Sequence, residues 1–137
     1  MRVLEIVRAA LGAIYLLGAI INLQFALLNP HVYQEFAKFA LIVFYKILWN
    51  SIVMPYLTTW LMLVVIFEIA LGAFILSRGN LVKIGLVGGI TFNLFLIPFW
   101  WSGWALINLL LVLLQVLLLK EEYDSTTIDL LSRVKLF

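Results

Sequence analysis

Residues 56–76 read YLTTWLMLVVIFEIALGAFIL, a continuous apolar stretch broken near its middle by a single carboxylate, Glu68. A helix needs about 20 such residues to cross the hydrocarbon core of a bilayer. Similar stretches flank it at about 6–28, 81–99 and 102–119. Asn29-Pro30, Pro55, Ser77-Arg78-Gly79-Asn80 and Pro98 punctuate them, and each break removes a backbone donor or supplies turn chemistry. The expected fold is all-α: an integral membrane four-helix bundle of one domain, residues 1–137, running up-down-up-down because the connections are short.

Composition agrees with that class. Of the 137 residues, 66% are apolar and 12% charged, against roughly half and a quarter in soluble domains. Cysteine is absent and His31 is the lone histidine, which excludes thiol redox chemistry, iron–sulfur clusters, a bis-histidine haem and a histidine zinc site within one chain. The glycines sit in or beside apolar runs and form no dinucleotide fingerprint or phosphate-cradling loop. A net charge of +2, dispersed along the chain, gives no nucleic-acid footprint. No metal and no intrinsic cofactor is expected.

Orientation follows from the basic residues. Arg2, Arg8, Arg78, Lys83, Lys120, Arg133 and Lys135 collect on one side, Lys38 and Lys46 on the other, which places the protein in the cell membrane with both termini cytoplasmic. Tyr56, Trp60, Trp100, Trp101 and Trp104 then fall at the outer interface, where amphipathic rings anchor. Between the first two spans, residues 32–50 place Gln34, Glu35, Lys38, Tyr45, Lys46 and Asn50 on one arc, the pattern of an amphipathic helix lying on the outer surface. A fifth crossing there would bury two lysines. The tail, 120–137, reads as a cytoplasmic segment with a helix near Thr127–Leu131.

Glu68 is the chief chemical clue, because a carboxylate at mid-membrane depth costs a few kcal/mol unless it is neutral or partnered. The partner is a cation or a set of hydrogen-bond donors from another helix, and Arg8, reaching inward on its long stem, is the nearest candidate. Asn22, Gln24, Asn93, Asn108 and Gln115 are the other polar positions within the spans, and Glu68, Arg8, Asn22, Asn93, Asn108 and Gln115 are expected to converge on one pocket or to staple helices together. Gly12, Gly18, Gly72, Gly85 and Gly89, with Gly88 beside them, are expected to permit close helix approach.

Arg8-Ala-Ala-Leu-Gly12, Asn22 shortly after Gly18-Ala19-Ile20, Phe67-Glu68-Ile69-Ala70-Leu71-Gly72 continuing through Leu76-Ser77-Arg78-Gly79 to Gly85, and the tail Thr127–Leu131 together resemble the DoxX and DoxX-like family of small four-helix membrane proteins. The resemblance spans about residues 8–131 and transfers Arg8, Glu68 and Gly72 by position. Asn22 stands where many relatives have Lys, and Ile97-Pro98-Phe99 where many have a Phe-His pair. The resemblance implies an accessory or quinone-interacting subunit of a membrane oxidoreductase complex, with a quinone or other apolar ligand as its small-molecule partner and electrons supplied by another protein. A non-catalytic assembly or stabilisation factor and a small proton-coupled transporter are the alternatives. The expected associations are the lipid bilayer and a membrane protein or a second copy of the chain.

Overall fold

Helical periodicity and the absence of strand-forming alternation produce an all-α chain. The computed structural model describes residues 3–133, and no β-strand occurs among them. Arg2 and Lys135, which contribute to the charge asymmetry, lie outside the described residues. Six α-helices follow in order: α1 (Val3–Leu28), α2 (Val43–Leu48), α3 (Leu57–Leu76), α4 (Asn80–Leu96), α5 (Gly103–Leu118) and α6 (Thr127–Arg133). A 3-10 stretch, Pro30–Phe39, separates α1 from α2. Two helical runs, Val3–Leu28 and Val43–Leu76, are long and apolar enough to cross a membrane, whereas α4 and α5 are shorter apolar helices of 17 and 16 residues.

The long helices pack antiparallel to their neighbours, and glycine sets how closely. A β-carbon on Gly12 would fall 2.5 Å from Leu76 Cγ, and one on Gly72 would fall 2.7 Å from Leu16 and 3.0 Å from the Gly12 carbonyl oxygen, so α1 and α3 meet nearly backbone to backbone. Gly85 receives Phe74 and Ile75, and Gly88 receives Leu71, across the α3–α4 contact. An aliphatic core forms between them from Leu11, Leu71, Ile75, Val82, Leu86 and Leu118, closed by Tyr15 and Tyr123. The α3–α4 turn depends on Gly79 at φ +60°, a left-handed conformation that a β-carbon would strain, and its N–H donates to the Tyr123 carbonyl at 2.6 Å. Thr126 caps α6 by accepting from the Asp129 N–H at 3.1 Å, while the Asp129 carboxylate accepts from the Thr126 N–H at 3.3 Å.

Residues 32–50 are not one amphipathic helix. The chain breaks at Ala40-Leu41-Ile42, where Leu41 N–H donates to the Pro98 carbonyl at 2.9 Å and Trp101 N–H donates to the Phe39 carbonyl at 2.7 Å. Backbone pairing with the α4–α5 connection thus replaces a continuous helical ladder. Beyond the break, α2 runs on through a π turn (Trp49–Val53) and a 3-10 turn (Met54–Tyr56) into α3. Pro55 therefore does not start a new helix. Its ring would collide with the carbonyl four residues back in a regular helix, and the wider turn immediately before it provides the relief. Aromatic stacking holds this cap down: Phe36 lies 3.9 Å from Trp100 and 5.3 Å from Trp49, centroid to centroid, and Tyr45 packs edge-on against Phe99.

Gly72→Ala should destabilise the fold by about 1–3 kcal/mol, because its neighbours include backbone that cannot move aside. Gly103→Ala, at a position with nothing within 4 Å, should be neutral or slightly stabilising. Denaturant titration of the two variants in the same detergent measures the difference.

Candidate functional site

Along α1, Arg8, Tyr15 and Asn22 recur every seventh residue, which returns each to nearly the same face at steps of about 10.5 Å. Each reaches a different set of neighbours. Three polar layers result, and all of them hang on this one helix.

In the first layer, Asn22 Nδ2 donates to Glu68 Oε2 at 2.8 Å and Asn22 Oδ1 accepts from the Tyr33 hydroxyl. The amide thus bridges the carboxyl on α3 to the 3-10 segment above. Glu68 is 7% exposed, and its second oxygen occupies the space left by Gly18, where a β-carbon would lie 2.9 Å from Oε1. Tyr33 is buried among Phe25 and Phe36, and its carbonyl accepts from the Trp49 indole at 3.0 Å. Burial, reinforced by the Glu68 carboxyl, pushes the Tyr33 phenol up to about 12. It therefore remains a donor to Asn22 throughout the physiological range.

In the second layer, the Tyr15 hydroxyl accepts from Asn93 Nδ2 at 2.8 Å and from Gln115 Nε2 at 2.5 Å, joining α1 to α4 and α5. Gly89 makes this room. A β-carbon there would lie 2.5 Å from the Tyr15 hydroxyl and 2.8 Å from Gln115 Nε2. Gly18 and Gly89 thus seat polar groups, whereas Gly12, Gly72 and Gly85 bring helices together.

In the third layer Arg8 is completely buried. Its guanidinium pairs with Glu5 at 2.9 Å, donates to the Ser77 carbonyl at 3.4 Å and to the Ser125 carbonyl at 3.2 Å, and stacks 4.7 Å from the centre of the Tyr123 ring. One side chain therefore fastens α1, the end of α3 and the tail. Burial pushes the Tyr123 phenol up to about 12 against the opposing influence of Arg8, and its hydroxyl donates to the Leu118 carbonyl at 2.7 Å.

Several sequence expectations change. Arg8 does not partner Glu68; it is spent at the other end of α1, and an amide partners the acid instead. Asn108 does not join the network, since its side chain donates back to the Trp104 carbonyl of its own helix at 2.9 Å. Gln24 is exposed rather than interior. Trp100 stacks between Phe36 and Trp104 in the cap, while Tyr56, Trp60, Trp101 and Trp104 face outward. Tyr15 and Tyr33 escaped sequence reasoning because tyrosine passes as apolar in a hydrophobic window; the seven-residue spacing from Arg8 through Tyr15 to Asn22 is the signal that reveals the first of them.

The assembled groups are amides, phenols, two carboxyls and one guanidinium. Among the described residues no cluster of three His, Asp or Glu side chains could hold a metal. Two surface grooves lie elsewhere, one against Pro30, His31 and Tyr56–Thr59, the other along α4 at Lys83, Val87 and Gly88. No family model, curated protein or solved structure matches this chain. The DoxX-like resemblance rests on its short motifs.

Tyr15→Phe should cost about 1–3 kcal/mol, since two buried amide donors lose their acceptor, while Asn108→Ala should stay within about 0.5 kcal/mol of the parent. Unfolding in detergent compares them. Arg8→Met should release the tail, read as faster tryptic cleavage after Lys120 in a protein whose far-UV signal is unchanged.

Proposed function

We propose that this chain is a multi-pass membrane protein in which α1, α3, α4 and α5 cross the bilayer with both termini cytoplasmic, acting as a non-catalytic accessory subunit that supports a partner membrane protein. The observation that carries this reading is that most interior polar groups hydrogen-bond to one another, Arg8 Nε and Gln115 Oε1 being left unpartnered, while the outward faces are apolar: Ile14, Leu17, Phe67, Phe95, Leu106 and Leu110 are all exposed. In water such a surface would aggregate, and in lipid it is solvated. The 16 and 17 residues of α5 and α4 rise about 24–26 Å, slightly short of the ~30 Å core, a mismatch met by local thinning and by the turn residues 97–102. An interior filled by its own side chains suits support of a partner better than turnover of a substrate.

The DoxX-like resemblance favours a membrane oxidoreductase complex as the partner. One observation favours direct quinone contact as a second reading: Glu68 Oε1 rests over the bare backbone of Gly18 and accepts no hydrogen bond among the described residues, so a quinol hydroxyl that reached it would find an acceptor.

Because the chain has no cysteine, single substitutions report topology cleanly. An impermeant maleimide should label Lys46→Cys in intact cells and Asp124→Cys only after lysis; the reverse pattern defeats the proposed orientation. Glu68→Gln keeps an acceptor for Asn22, so in native membranes the partner complex should persist at parental abundance and activity. Unchanged abundance with activity lost at least tenfold would instead support the quinone reading.

A further inference from the structure

In the proposed orientation a groove opens at the outer rim. It is an open depression of about 380 Å³ between the 3-10 segment and the start of α3, and its polar lining consists of His31, Gln34, Tyr56, Thr58 and Thr59. All five carry hydrogen-bond donors, and no carboxylate lines the groove among the described residues. Glu35, the nearest acid in sequence, is engaged by Lys38 at 2.5 Å. Gln34 Nε2 lies 3.3 Å from His31 Nδ1; with the amide donating, the ring proton resides on Nε2 and remains available to a ligand. Pro30 and Pro55 stiffen the two walls, and Met54 and Leu57 add apolar lining.

We infer that this groove binds the phosphodiester headgroup of an outer-leaflet phospholipid. A donor-rich, carboxylate-free concavity matches phosphate oxygens, which only accept hydrogen bonds. Its depth selects the lipid over the free ion. Tyr56 lines the groove, and Trp60, whose indole donates to the Ile52 carbonyl at 3.2 Å, stands one residue beyond Thr59, so two outward aromatics place the groove at headgroup level. Met54 and Leu57 then meet the glycerol and first methylenes. The inference rests on the membrane reading above, and it makes the outer cap a lipid-binding element while leaving the Glu68 layer out of the site.

The test uses the full chain in detergent and in phosphatidylcholine vesicles containing phosphatidylglycerol. A short-chain phosphatidylglycerol should raise the thermal midpoint of the parent protein saturably. The combined variant His31→Ala, Thr58→Val, Thr59→Val should need at least about tenfold more lipid for the same shift, as expected from losing several hydrogen bonds. Its unliganded midpoint and far-UV spectrum check that it folds, and Thr58→Val alone, with a smaller loss, supplies a milder variant. Equal protection of parent and variants, no saturable protection, equal protection by inorganic phosphate, or protection by a short-chain quinone in place of the phospholipid each overturns the inference. Vesicle flotation separates the two levels: a parent chain that fails to float refutes the membrane reading itself, whereas flotation without groove-dependent protection refutes only the headgroup site.

Discussion

The register of α1 constrains everything else in this molecule. Arg8, Tyr15 and Asn22 project from one face into an apolar interior, and each must find a partner at its own depth, because a buried polar group left unpaired costs about 1–3 kcal/mol and a buried charge considerably more. Their partners come from α3, α4, α5, the 3-10 segment and the tail. Rotating α1 by one residue would strand all three side chains together. The glycines complete this specification, since Gly18 and Gly89 clear the volume that the Glu68 carboxyl and the Tyr15 hydroxyl occupy.

Apolar packing alone would select the fold much less sharply. Leu, Ile and Val faces tolerate sliding, and apolar contact alone gives one helix face little reason to choose another. Small residues and interhelical hydrogen bonds then decide which faces meet. Here the two devices are coupled: Gly12 and Gly72 bring α1 within reach of α3, and at that separation Asn22 can bridge to Glu68. The aromatic cap extends the same chain outward, because Tyr33 holds Asn22 from above and is itself held by Phe25, Phe36 and Trp49. Interior and cap are therefore one mechanical unit.

How much of this was legible beforehand differs from residue to residue. The apolar windows located α1, α3, α4 and α5 to within a few residues, because periodicity and length are local properties. Glu68 stood out for the same reason: a carboxyl amid uninterrupted hydrocarbon needs a partner wherever the chain goes. The choice of partner was not local. Arg8 was the natural candidate by charge, yet its stem lies on the far side of α1's midpoint and its guanidinium is consumed by Glu5, Ser77, Ser125 and Tyr123. Asn108 and Gln115 share a helical face by spacing, but only Gln115 sits at the depth of Tyr15; Asn108 turns back to its own helix.

Composition, glycine positions and local period were enough to set the helical class, most of the helix ends and the list of polar groups that must be satisfied; the break at 40–42 and the run through Pro55 were not among them. Tertiary structure alone decided the pairings. It drew Asn22 to Glu68, assigned Arg8 to the tail, and split residues 32–50 between a 3-10 cap and an extension of α3 by pairing Phe39 and Leu41 with Trp101 and Pro98. A hydrogen bond's range is about 3 Å, and only packing brings residues dozens of positions apart within it.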